Sequence, residues 1–176
     1  MASQADDRGV WKTAALTVPA IVIVGSFMGY VSNSGFDNGW YAALKKPSFQ
    51  PPGWVFGAMW TTLYTMMGIA LAVILRAPRS AERTRGLALF AVQLLLNFAW
   101  SPIFFGARAI DPALVVILLM NVLVTATLMS FWRIRPLAGA LLLPYLAWLC
   151  LATALNHETG RLNPGAGTHS LGITGA

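Results

Sequence analysis

Five stretches of about 20 mainly apolar residues, joined by polar connections, constrain this chain more than anything else in it. They run from about Thr13 to Ser32, Pro51 to Leu75, Gly86 to Gly106, Ala113 to Trp132 and Leu137 to Asn156. A bilayer core of about 30 Å takes roughly 20 residues of helix to cross. Without water there, such a segment must satisfy its own backbone, which only a helix can do within one segment. The expectation is an all-α integral membrane protein, a bundle of five transmembrane helices. Composition agrees, with 57% apolar and 10% charged residues, where a soluble domain carries about a quarter charged. The five spans take up most of the 176 residues. That predicts a polar N-terminal segment over 1–12, one transmembrane domain over 13–156 and a flexible tail over 157–176. The first span is too long for the apolar region of a signal peptide and no small-x-small cleavage site clearly follows it.

The net charge is +6 and the pI near 10.1. In a soluble protein that balance suggests nucleic acid, but here the cations sit in connections, where they orient helices and meet anionic headgroups. No nucleic-acid partner is expected. Arg8, Lys12, Arg76, Arg79, Arg83, Arg85, Arg133 and Arg135 lie on the N-terminal side; Lys45, Lys46, Arg108 and Arg161 lie on the other. That bias favours a cytoplasmic N-terminus, with the first loop and the C-terminus outside. The single cysteine, Cys150, permits no disulfide framework and reads as a small packing residue.

None of the spans holds a clear mid-span Asp, Glu, Lys, Arg or His, the usual mark of an ion or proton path, and both histidines lie in the tail. This argues against a pump, a proton-coupled transporter, a His-ligated haem or metal site and a Ser-His-Asp hydrolase. No metal, cofactor or catalytic residue is expected from the pattern. Aromatic and amide side chains at helical spacing stand out instead. Phe56, Trp60 and Tyr64 recur every four residues, as do Gln93, Asn97 and Ser101, with Trp100 and Phe104 alongside. Tyr145, Trp148 and Ala152 share a stripe on the last span. Trp11, Trp54 and Trp132 suit an interfacial belt. Trp60, Trp100 and Trp148 lie deeper. Three inward indoles would line either a flat slot for a planar ligand or a tightly packed helix contact, and pattern alone leaves both open. Gly25/Gly29 and Gly53/Gly57 are GxxxG steps that suit either subunit contact or internal packing.

Between the first two spans, residues 40–64 read W-Y-x-x-L-x-K-P-x-F-x-P-P-x-W-V-F-x-x-x-W-x-x-x-Y. Residues 97–106 read N-F-A-W-S-P-I-F-F-G, and 144–156 read P-Y-L-A-W-x-x-x-A-x-x-L-N. Together these resemble, in order and over about residues 12–163, the motifs of the TspO/MBR family. That family joins the tryptophan-rich sensory proteins of bacteria with the mitochondrial translocator protein, or peripheral-type benzodiazepine receptor. The resemblance implies a five-helix bundle, usually a homodimer in a bacterial cell membrane (inner or outer unresolved), with a pocket under the first loop. It implies binding of porphyrins or haem, sterols such as cholesterol, and synthetic isoquinolines or benzodiazepines. Carried over by motif position, the ligand-binding residues are Trp40, Tyr41, Trp60, Tyr64, Asn97, Trp100, Trp148 and Ala152. Trp60 and Trp148 match residues implicated in light-dependent porphyrin breakdown.

One departure bears on sterols. The family's sterol-recognition segment has a central aromatic, where this chain has His157 within L-N-H-E-T-G-R. Tight sterol binding through that segment is therefore not expected. Lys45 and Lys46 are candidates either for pairing with porphyrin propionates or for anchoring beside headgroups. Two functions remain: a binding protein that senses, sequesters or moves tetrapyrroles, and an enzyme-like photodegradase.

Overall fold

The computed structural model of the chain describes residues 2–175, with side chains from residue 8 onward. Five long helices form it: α1 (Ala2–Val31), α3 (Gly53–Arg76), α4 (Ala81–Ser101), α5 (Ile110–Ile134) and α7 (Leu143–Leu162). Short α2 (Gly39–Ala43) lies within the first loop, and α6 (Pro136–Ala140) precedes α7. Helix α4 continues into a π-helical turn over Pro102–Gly106. Five helical runs are long and apolar enough to cross a membrane: Arg8–Val31, Gly53–Arg76, Ala81–Gly106, Ile110–Ile134 and Pro136–Leu162. The chain is an all-α integral membrane protein.

Several boundaries differ from those read in the sequence. The polar segment expected over 1–12 joins α1, although Met1 and the side chains of residues 2–7 lie outside the described residues. The last helix runs through His157 to Leu162, beyond the expected stop at Asn156. Residues 163–175 are not a free tail. The backbone amides of Leu171 and Ile173 donate to Asp111 Oδ2 at 2.8 and 3.3 Å. Asp111 has no exposed surface, and a buried carboxylate must find donors; the tail supplies them.

Local chemistry sets the helix ends. Pro51 and Pro52 end the loop and release α3 at Gly53. Ser80 caps α4, its hydroxyl accepting from the Arg83 amide at 3.1 Å. The Arg83 guanidinium reaches back to the last turn of α3, donating to the carbonyls of Ile74 at 2.9 Å and Leu75 at 2.8 Å. The basic connection thus closes both helix ends it joins.

Helix α1 packs chiefly on α3, α4 on α5, and α5 on α7, while α6 reaches α3 from the far side. The Arg76 guanidinium lies where a side chain on Gly9 would go, so the end of α3 sits beside the start of α1 and the two run antiparallel. Their crossing is close because two glycines permit it. A Cβ on Gly68 would stand 2.6 Å from Val18 Cα, and one on Gly25 would stand 2.2 Å from the Tyr64 ring. The Thr17 hydroxyl exploits the contact, donating to the Gly68 carbonyl at 2.7 Å. Gly25 therefore serves internal packing. Cys150 is exposed on the outside of α7 rather than packed within, with its sulfur 3.6 Å from Asn121 Oδ1. The α7 face that Trp148 and Leu149 occupy points inward, and Cys150 falls roughly 100–200° around from them.

Replacing Gly68 by Val forces α1 off α3 at Val18. An overpacking cost of about 1–3 kcal/mol is expected, read as a lower melting temperature in detergent, with Gly57→Ala causing no such drop because nothing stands near a Cβ there.

Candidate functional site

The helices enclose a cavity of about 430 Å³, within the range that holds a small organic ligand. Its walls come from α1, α3, α4, α5 and α7, and residues 34–50 of the first loop roof it. The spacing of four residues on α3 brings Phe56, Trp60 and Tyr64 to the cavity side together. Asn97, Trp100 and Ser101 arrive from α4, with Phe104 and Phe105 from the π-helical turn. That turn widens the helix where aromatic side chains crowd: the Trp100 and Phe104 rings stack at 4.9 Å with an interplanar angle of 15°. Trp148 and Ala152 come from α7. Phe56 meets the Trp148 ring edge-on at 5.6 Å, bridging α3 and α7.

Of the residues singled out in the sequence, Tyr41, Trp60, Tyr64, Asn97, Trp100, Trp148 and Ala152 lie on this wall. Trp40 does not. It stands behind the roof, edge-on to Phe104 at 5.7 Å, with its indole N–H donating to the Ala166 carbonyl at 3.1 Å. Successive residues of a helix point roughly 100° apart, and on α2 the Trp40 indole is turned to Ala166 and Phe104. Tyr41 takes the inward position, its backbone amide held by Asn38 Oδ1 at 3.1 Å and its hydroxyl accepting from Gln50 Nε2 at 2.9 Å. Burial raises the Tyr41 pKa, and the Gln50 hydrogen bond opposes that rise.

The sequence reading overlooked the first-loop contributors Ser34, Phe36 and Gln50, the α5 residues Ile117 and Met120, and Asn156 and Thr159 on α7. The α5 pair is indistinguishable from ordinary apolar helix in the sequence. The glycines at 25, 29, 53 and 57 did carry a signal, since all four line the cavity.

At the inner end a hydrogen-bonded chain joins three helices. The Tyr64 hydroxyl donates to Asn97 Oδ1 at 2.9 Å, Asn97 Nδ2 donates to the Tyr145 hydroxyl at 2.9 Å, and that hydroxyl donates to Gln93 Oε1 at 3.1 Å. All four residues are buried. Only Tyr64 and Asn97 of the four reach the cavity wall. Trp60 lies against Tyr64 with ring centroids 5.2 Å apart, so the indole rests on a ring that the chain immobilises.

The wall residues carry no formal charge. Lys46, one of the two cations at the roof, is turned inward to the loop itself. Its ammonium donates to the carbonyl of Tyr41 and, at 2.8 Å, to that of Leu44, and it lies 4.2 Å over the Tyr41 ring. Burial lowers its pKa. Lys46 thus caps α2 and braces Tyr41, while the Lys45 side chain is exposed. The arrangement can hold a flat apolar molecule by ring contact and orient it by one amide and one hydroxyl. It assembles no nucleophile beside a base.

Tyr64→Phe removes the donor to Asn97 and strands a buried carbonyl oxygen. A loss of about 1–3 kcal/mol in unfolding free energy is expected, measured by thermal or denaturant titration in detergent.

Comparison with known proteins agrees with this architecture. The sequence profile of the TspO/MBR family matches residues 16–162. The chain is 39% identical to protein CrtK of Rhodobacter capsulatus over 153 residues, covering 86% of this chain and 96% of that one. It is 42% identical to the translocator protein of Homo sapiens over 144 residues, covering 81% and 85%. Against the tryptophan-rich sensory protein of Cereibacter sphaeroides it is 41% identical over 124 residues, covering 70% and 77%. With five membrane-spanning runs, a roofed aromatic cavity and a profile match across most of its length, the chain belongs to the TspO/MBR family.

Proposed function

We propose that this membrane protein binds flat, largely apolar ligands, tetrapyrroles foremost, in the cavity under its first loop. In that role it acts as a sensor, sequestering protein or carrier. Family membership supports a ligand-binding or sensory role in the membrane. The observation that carries the finer reading is the convergence of Trp60, Trp100 and Trp148, from three helices, on one cavity. Indole faces attract a planar π-system by offset or edge contact worth about 0.5–1.5 kcal/mol per pair beyond area burial. Asn97 and Tyr64 add hydrogen-bonding groups beside those faces. Sterols fit the same apolar walls but lack a π-face for the indoles to recognise. Kinship to the translocator protein and the bacterial tryptophan-rich proteins points the same way. Homodimerisation and a cytoplasmic N-terminus belong to this reading as well.

The decisive measurement is quenching of tryptophan fluorescence by protoporphyrin IX, beside a sterol panel, in detergent or nanodiscs. Saturable quenching at micromolar concentration or below is expected. Trp148→Ala should weaken it about tenfold, the equivalent of about 1.4 kcal/mol. Unchanged affinity in that variant removes Trp148 from the site.

A second reading, photochemical breakdown of bound porphyrin, is favoured by the placement of Trp60 and Trp148 on the same wall. An indole in contact with a photoexcited macrocycle can give it one electron; dioxygen adds to the reduced ring, and return of the electron to the indole radical cation leaves an oxygenated macrocycle. Under illumination in air the porphyrin absorption should decay faster with the protein than without it. Trp60→Phe and Trp148→Phe should retain binding and lose the excess decay. Equal decay with and without protein leaves binding as the whole function.

A further inference from the structure

Asp111 is the one carboxylate buried within the described bundle, and neither ring contact nor ligand polarity at the cavity uses it. It opens α5, and its partners come from the far end of the chain. Oδ2 accepts from the Leu171 and Ile173 amides, and Oδ1 accepts from the Thr174 hydroxyl at 2.5 Å. Thr174 is seated against α7 where Gly160 leaves room for it; a Cβ there would stand 2.2 Å from its hydroxyl oxygen. Apolar burial does little to hold this segment, since Leu171 is 56% and Ile173 46% exposed. The carboxylate is its catch.

From that catch the segment runs back to the cavity roof. Thr168 ties it to the connection between α4 and α5, its amide donating to the Arg108 carbonyl at 3.0 Å and its hydroxyl to the Ala107 carbonyl at 2.6 Å. The Ala166 carbonyl accepts from the Trp40 indole. Asn163 and Lys45 pair reciprocally, with the Lys45 amide donating to Asn163 Oδ1 at 2.8 Å and Asn163 Nδ2 donating to the Lys45 carbonyl at 2.9 Å. Trp40 lies within the helical turn that carries Tyr41 onto the roof, and Lys45 follows it. On its other side the same loop is held by the Ser34 and Ser101 hydroxyls, 2.5 Å apart.

We propose that residues 163–175 form a strap over the first loop, that Asp111 is a positioning residue which fastens it, and that the strap sets how fast ligand exchanges with the cavity. Ligand entering beneath the roof would displace the α2 turn, which the strap holds at Trp40 and at Lys45. Releasing the strap leaves Trp60, Trp100 and Trp148 in place, so exchange rates should change far more than affinity. The ligand part of this inference rests on the function proposed above; the fastening of the loop does not.

The test uses the full chain in nanodiscs, with Asp111→Asn, Thr174→Val and Gly160→Val releasing the strap in three different ways. Leu171→Ser alters an exposed tail side chain and keeps its backbone amide. Amide hydrogen exchange over residues 38–46 should quicken about tenfold in the three release variants, since local opening governs such exchange, and stay at wild-type rates in Leu171→Ser. Exchange within α3 should be unaffected, which separates strap release from misfolding. Stopped-flow dissociation of protoporphyrin IX should then accelerate about tenfold, with the dissociation constant moving less than threefold. Unaltered exchange over 38–46 in Thr174→Val and Asp111→Asn overturns the strap. So does a quickened loop with unaltered dissociation, or an equal effect in Leu171→Ser. Failure of the porphyrin to bind the wild-type chain counts against the proposed function alone, and the hydrogen-exchange arm still decides whether the loop is fastened.

Discussion

No water reaches the hydrocarbon interior of a bilayer, so a polar group on a transmembrane helix has only protein for a partner. Much of this structure follows from that shortage. Hydroxyls on α3, α5 and α7 fold back on their own helices: Thr61, Thr65, Thr127 and Thr159 each donate to a carbonyl four residues earlier. An amide carries both donors and an acceptor, and its oxygen cannot be met by a helix carbonyl. Asn97 needs both a donor and an acceptor, and finds them in Tyr64 on α3 and Tyr145 on α7. One side chain therefore fixes the relative rotation of three helices, and with it the direction in which Trp60 and Trp148 point.

The cavity survives because its walls are braced rather than collapsed. Gly25 and Gly68 let α1 and α3 approach until backbone and ring touch, which takes up the slack on that side of the bundle. Opposite, stiff rings hold the helices apart through edge contacts such as Phe56 with Trp148. Close-packed aliphatic chains in those positions would fill the space. The hydrogen-bonded chain at the inner end and the aromatic walls together define a slot suited to a planar guest. The roof is a different kind of structure, a loop with one short helix, seated by Tyr41 and Leu44 on an apolar cluster with Phe104, Ile110 and Ala113 and tied by polar contacts that are individually modest.

Number and class of the transmembrane helices were legible in the sequence, because hydropathy over 20 residues is a local property that no tertiary contact can reverse. The inward faces of α3 and α4 were legible too, through the four-residue repeat of Phe56, Trp60 and Tyr64 and the amides at Gln93 and Asn97. Helix termini were less so: Asn156 through Leu162 mixes polar and apolar residues, and the seat that Gly160 gives Thr174 is not visible in the sequence.

Other features were decided by contacts between distant parts of the chain. Trp40 and Tyr41 are adjacent and chemically alike in the motif, yet only Tyr41 reaches the cavity, while Trp40 packs on Phe104 and finds an acceptor in Ala166. Asp111 gave no sequence sign of its role, since its partners lie 60 or more residues away and two of them are backbone amides, which any residue could supply. Periodicity reports which face of a helix is apolar. It says nothing of which neighbour that face will meet, so the sequence alone determined the five-helix membrane architecture and its aromatic stripes. The hollow they share, and the strap across it, arose only when the helices were assembled.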